Sequence, residues 1–277
     1  ASIYCQQVDE TLFEIVVTDN GSNQDFQQFM EKQTAIHDNL YYRRTTAEGF
    51  LNQIECFRDA HGIFIKFVNH RMMLKSGMIN ELLSFVRKNK EMRPISYFLN
   101  GSLPLLAENE YDTFDKFVSA LSYYSSWSGG LGIWKDDFEK IPRSTVYNKF
   151  FPHTTILFLP YEQRRYYINN RVMMESLPEN HPKGRYNLFY AFAVEYPSII
   201  GDLYRNKQIT INTFLKIKNE LLNFLAILYI DYFILHRKCS YDLSGMNQSI
   251  RVYYSSFSLY IRSCKYFLHR IKGKLLK

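Results

Sequence analysis

The residues with the most regular chemical spacing lie near the C-terminal end. Arg262, Lys265, His269 and Lys272 recur at three and four, with Arg251, Ser255 and Ser258 ahead of them on the same stripe and Lys274 just beyond. Residues 251–277 hold seven bases (Arg251, Arg262, Lys265, Arg270, Lys272, Lys274, Lys277) and no acid, which matches the net charge of +7 for the whole chain. Residues 1–60 hold ten acids against four bases, so the positive charge is gathered at one end. Cations on one helix face contact phosphates without reading base identity. Arg and Tyr also alternate at Tyr41-Tyr42-Arg43-Arg44 and at Arg164-Arg165-Tyr166-Tyr167, and tyrosine rings stack on unpaired bases. The pattern predicts a polyanion surface made by Arg251, Arg262, Lys265, His269, Lys272, Lys274, Arg164 and Arg165. Nucleic acid is the first partner it suggests. An anionic membrane surface or an acidic protein would suit the same helix, and a solvated basic face is the plain alternative.

Other constellations are thinner. Asp136, Asp137 and Glu139 in WKDDFEK offer carboxylates for Mg²⁺, against a hydrated turn as the simpler reading. Gly129-Gly130-Leu131-Gly132 follows a helical stretch rather than joining a strand to a helix, so it reads as a flexible loop, not a phosphate cradle. No zinc spacing, serine elbow or paired-histidine metalloprotease pattern is present. No metal site and no cofactor are therefore expected. Asp231 reads as a partner-paired carboxylate at the edge of a core.

Two resemblances follow from these residues. Arg262 and His269 on one helix face, with six residues between them, resemble the Arg-spacer-His pattern of HEPN ribonucleases. That resemblance implies metal-free RNA cleavage by Arg262 and His269. Seven helical positions span about 10.5 Å, so the two side chains would need substrate or a second subunit between them. His153, opening PHTTILF ahead of Tyr166 and Tyr167, resembles a rolling-circle initiator, with Thr155 where a second histidine would stand. Three readings stay open: a nucleic-acid-associated protein, a HEPN-like ribonuclease, and an effector or inhibitor that acts as an interaction module.

The elements that must carry these residues are organised around Ile211–Leu235, the longest apolar run. Leu221, Leu222, Leu225, Leu228, Tyr229 and Tyr232 follow a helix period, and Thr210 is placed to cap it. Asn223 and Asp231 interrupt the run, so it is too short and too polar for a transmembrane segment. Upstream, apolar strands at 12–18, 62–68, 94–99 and 154–159 alternate with helices at 25–37, 78–90 and 111–124, which predicts βαβ units. Helices are expected at 161–175, 186–204, 211–237 and 249–272, with a loop at 176–184. The expected fold class is a mixed α/β N-terminal half with a partly parallel sheet, residues 1–160, followed by an all-α helical half, residues 161–277.

Composition bounds the rest. Hydrophobic residues at 46% with 22% charged exclude a disordered chain. The N-terminal ASIYCQQVDE has no basic segment followed by an apolar one, so no signal peptide is visible, although Ala1 is not a start methionine. Cys5, Cys56, Cys239 and Cys264 are far apart and read as reduced, mostly buried side chains, which places the chain in a cytoplasmic, reducing compartment.

Overall fold

The structure is a computed structural model, and it describes residues 2–160, 165–177 and 185–275. The side chains of His269 and of 271–275 lie outside what is described. The chain forms two compact units. One comprises Ala1–Thr113 and Tyr124–Leu177, the other Phe114–Tyr123 and Pro178–Lys277.

Among the described residues the first unit carries nine strands. They are β1 (Ile15–Asp19), β2 (Leu40–Arg44), β3 (Phe64–Lys66), β4 (Met72–Leu74), β5 (Ile95–Phe98), β6 (Glu108–Tyr111), β7 (Leu131–Trp134), β8 (Tyr166–Asn169) and β9 (Met174–Ser176). β1 and β2 form a parallel pair, Ile15 opposite Leu40. The main sheet has the order β3-β7-β5-β8-β6. In it β5 and β8 are parallel, whereas the β3–β7, β5–β7 and β6–β8 pairs are antiparallel. β4 and β9 make a separate antiparallel pair. A partly parallel sheet in a mixed α/β unit is thus the observed architecture.

Among its described residues this unit also carries the α-helices α1 (Gln24–Thr34), α2 (Asn52–Asp59), α3 (Met78–Asn89), α5 (Lys135–Glu139) and α6 (Pro152–Phe158). β5, β7 and β8 are buried along their whole length, as expected of strands covered on both faces. On one face Phe85 of α3 sits among Phe98, Trp134 and Tyr167, with ring centroids 5.4, 6.4 and 5.1 Å away. α6 packs against β7, with Ile156 and Leu157 buried.

The second unit is helical. α4 (Phe114–Leu121) joins α7 (Leu188–Tyr190), α8 (Tyr196–Arg205), α9 (Ile211–Tyr229), α10 (Met246–Tyr253) and α11 (Ser256–Leu275). Wider π-type turns continue α7 into α8 at Ala191–Glu195 and extend α9 through Ile230–Ile234. α9 begins where its sequence says it should: the Thr210 side chain accepts from Thr213 N at 3.3 Å. Its Ile217, Leu221, Leu225 and Ala226 are buried. Among the described residues no helix is long and apolar enough to cross a membrane.

Several expectations are corrected. TTILFL is helix α6, not a strand: Pro152 occupies the first turn, and Asn148 Oδ1 accepts from Phe150 N and Phe151 N at 2.9 and 3.0 Å just before it. The helix expected over 161–175 is strands β8 and β9 in its described part. GLGIW supplies β7 rather than a loop. The single helix expected from 249 is two, broken after Tyr253. Cys5, Cys239 and Cys264 are exposed and Cys56 is half-buried, so the cysteines are not core side chains. Free cysteine is among the most buried residue types, so these positions depart from the usual tendency.

Candidate functional site

Four of the eight cations of the expected polyanion surface lie among the described side chains: Arg251, Arg262, Lys265 and Arg165. Arg251 ends α10, exposed, with Nε 3.5 Å from Ser256 Oγ. Arg262 faces α9 and donates to Asn223 Oδ1 at 2.8 Å and Asn219 Oδ1 at 2.5 Å. Lys265 is exposed. Arg165 lies in the first unit, 3.3 Å from Glu110 Oε2. Arg164 lies outside the described residues, as do the side chains of His269, Lys272 and Lys274. The second Tyr-Arg cluster is spent internally. Arg43 reaches Asp59 at 2.6 Å and Glu55 at 2.9 Å, Arg44 reaches Gln27 at 2.9 Å, and Tyr42 donates to Asp19 at 3.0 Å. A cavity of about 370 Å³ opens here between β2 and the end of α2, but these ion pairs already satisfy much of its polar lining.

Two further sequence candidates separate. Asp136 pairs with Arg93, Glu139 lies 3.6 Å from Lys135, and Asp137 is buried, so the acidic trio points three ways. Among the described residues no group of three or more His, Cys, Asp or Glu is placed to hold a metal ion. His153 sits on α6, and Tyr166 and Tyr167 sit buried on β8. A histidine on a strand followed by tyrosines on a helix is therefore the reverse of what is present.

One end of the main sheet does gather polar groups. The carboxyl ends of β3, β5 and β8 meet the amino ends of β7 and β6 there, as the registers Lys66 opposite Gly132, Ser96 opposite Gly132, Phe98 beside Asn169 and Asn169 opposite Glu108 require. In α/β sheets the crevice outside the strand carboxyl ends is the usual ligand site. Asn100, just past β5, holds this rim together. Its Oδ1 accepts from Met173 N and Met174 N at 2.7 and 2.8 Å, and its Nδ2 donates to Met174 O at 2.9 Å. Arg171, past β8, is occupied by Glu108 at 3.0 Å and Glu81 at 3.7 Å.

Lys66 is the exception. It closes β3, half-buried, and donates to Phe67 O at 2.8 Å and to Gly129 O, with Nζ 5.0 Å from the Phe98 ring centroid. No described carboxylate lies within ion-pair distance of it, and desolvation pulls its pKa from the usual 10.5 down to about 7. The turn that follows presents Asn69, His70 and Arg71; Asn69 Oδ1 accepts from Arg71 N at 3.0 Å and shapes it. Burial first, and the Arg71 charge second, hold the His70 pKa below its ordinary value.

The segment opposite Lys66, Tyr124–Gly130, is held through its carbonyl oxygens. The Tyr97 hydroxyl lies 2.7 Å from Tyr124 O and 2.5 Å from Trp127 O. Thr154 Oγ1 donates to Ser125 O at 2.9 Å. His153 Nε2 lies 2.9 Å from Ser126 O, so its proton belongs on Nε2. His153 is only 3% exposed, and burial drops its pKa to about 4, so it is neutral near pH 7. Its Nδ1 is left buried without a partner. Gly129 and Gly130 admit the close approach: a Cβ on Gly130 would fall within 2.5 Å of the Tyr97 hydroxyl oxygen. Sequence reasoning passed over Lys66, although a lone lysine inside the apolar run GIFIKFV was a usable signal.

No family model matches the chain, and no curated protein does. Among solved structures the chain is similar to the crystal structure of S. aureus TarS 1-349. The TM-score is 0.54, with 17% identity, over 89% of this chain and 71% of that one. At that identity the likeness is one of fold, and it spans both the mixed α/β part and most of the helical part.

Proposed function

We propose that the first unit transfers a sugar from a phosphate-activated donor, bound at the carboxyl end of the main sheet. TarS, with which the chain shares its fold, is a glycosyltransferase. The observation that carries the proposal to particular residues is Lys66, a half-buried amine with no described carboxylate partner at the rim where such sheets bind ligands. In this reading Lys66 meets a donor phosphate oxygen, with His70 and Arg71 on the adjoining turn. An anion beside a lysine that titrates near 7 favours its charged form, so binding above pH 7 draws a proton onto Lys66.

The test is calorimetric titration of the protein with a panel of nucleoside diphosphates and their sugar conjugates, in buffers of differing ionisation enthalpy. One member should bind with proton uptake at pH 8, and Lys66→Met should weaken it roughly tenfold or more and abolish the uptake, the loss expected for a charge-assisted hydrogen bond. Binding by no member of the panel, or equal binding by the variant, would overturn the reading.

A second reading, nucleic-acid phosphates against the basic C-terminal region, is favoured by charge alone: seven bases and no acid over 251–277. Its signature is oligonucleotide affinity that falls linearly in log K against log salt.

A further inference from the structure

α11 turns its apolar stripe away from α9. The face turned to α9 carries Leu259 and Ser263, both buried, together with Arg262 on its two asparagines and Arg270, whose Nη1 donates to Asp231 Oδ1 at 3.0 Å. The opposite face carries Phe257, 73% exposed, then Ile261, Cys264 and Leu268, 60% exposed. At 3.6 residues per turn these four positions fall within an arc of roughly 60°. Exposed Lys265 flanks them, and the sequence continues with Lys272, Lys274 and Lys277 and no acid.

We infer that this outer face of α11 lies on an anionic membrane surface, parallel to it. A helix that presents Phe, Ile and Leu along one line with a lysine beside them, in a basic stretch of sequence, is the kind that sinks its apolar side chains to the headgroup boundary while its cations meet lipid phosphates. Charge complementarity selects the occupant: the region is uniformly basic, so an acidic surface fits and a second copy of the same basic helix would be repelled. The aliphatic members favour lipid over nucleic acid, because Ile261 and Leu268 have no ring to stack on a base. The two arginines best suited to bidentate phosphate contact are turned inward to α9. No described helix is long and apolar enough to span a bilayer, so the contact is interfacial. The inference stands apart from the sugar-transfer reading, since it uses none of that site's residues.

The test is flotation of the full chain with phosphatidylcholine vesicles, with and without phosphatidylglycerol, at low and high ionic strength. The protein should float with the anionic vesicles, and added salt should release part of it. Phe257→Gln with Leu268→Gln, both at exposed positions, should weaken flotation roughly tenfold or more while leaving the melting temperature unchanged. Lys265→Glu should weaken it on anionic vesicles alone. Absence of flotation at low salt, or equal flotation of the double variant, would overturn the inference. So would a lipid-free dimer that the double variant dissolves, which would make this face a self-interface. Oligonucleotide binding that needs Lys265 but neither apolar residue, without flotation, would return the surface to nucleic acid.

Discussion

Gly130→Ala probes the packing behind the candidate site with a single methyl group. The added Cβ would lie within 2.5 Å of the Tyr97 hydroxyl oxygen and closer still to its ring carbons Cζ and Cε1, where carbon atoms settle at about 3.5–4.0 Å. Tyr97 is 0% exposed, so its ring has to move by more than about 1 Å inside a filled space. Overpacking of this kind costs about 1–3 kcal/mol. Displacing the hydroxyl from Tyr124 O and Trp127 O removes about 1 kcal/mol more. The alanine also restricts the unfolded chain, which offsets about 0.4–1 kcal/mol. The balance is a loss of about 1–3.5 kcal/mol. At about 2–4 °C per kcal/mol for chains of this size, the melting temperature should fall by roughly 2–14 °C. Differential scanning calorimetry measures it, and Gly62→Ala is the control. A Cβ at Gly62 meets Glu14 Oε1 at an ordinary 3.5 Å, so that variant should stay within about 2 °C of the parent by the usual range for surface changes. If the two alanine variants melt together, Tyr97 is not confined and the account of the Tyr124–Gly130 segment is wrong.

Two further outcomes follow from burial. Leu225, 0% exposed in α9, should not tolerate aspartate: Leu225→Asp places an unpaired charge in the helical core, and a soluble monomer with unchanged melting would refute that core. His153 holds its pKa near 4 in the folded chain against 6.5 when exposed, so the unfolded chain takes up a proton between those values that the folded chain refuses. Stability should therefore fall as pH drops from about 6.5 to 4, and His153→Gln should flatten that part of the curve. An NMR titration showing His153 protonated near pH 6.5 would contradict it.

What the sequence disclosed depended on whether local pattern and tertiary packing agreed. α9 was legible because its period, its Thr210 cap and its burial point the same way. β1 and β3 were legible as apolar runs between turn residues. TTILFL misled because six apolar and β-branched residues suit a buried strand and a short buried helix equally, and only Pro152 and Asn148 decide between them. Tyr166–Asn169 was read as helical through its neighbours, whereas pairing with β5 and β6 makes it a strand. Apolar residues at three and four from Ile250 to Leu268 suit a single helix face. A break after Tyr253 resets the rotation, so Ile250 is buried and Phe257 is not. The lone lysine in GIFIKFV marks Lys66 in the sequence, but its partner Gly129 lies 63 residues away and only the fold brings it opposite.

The placement of α4 has a consequence for how the protein is made. Its residues interrupt the first unit in sequence, yet they pack in the second, where Asp115 accepts from Thr210 N across a separation of 95 residues and Lys216 reaches Ser119 O. As the chain leaves the ribosome, α4 emerges with Phe117, Val118 and Leu121 uncovered and waits for α9 to be synthesised. A fragment begun at residue 178 would in turn expose the side of α9 that α4 covers. The helical unit is therefore not separable by one cut, and truncations at any point between 124 and 210 should yield two sticky pieces rather than two domains. Any effort to express the halves alone would need 114–123 grafted onto the second, with its return loop redesigned.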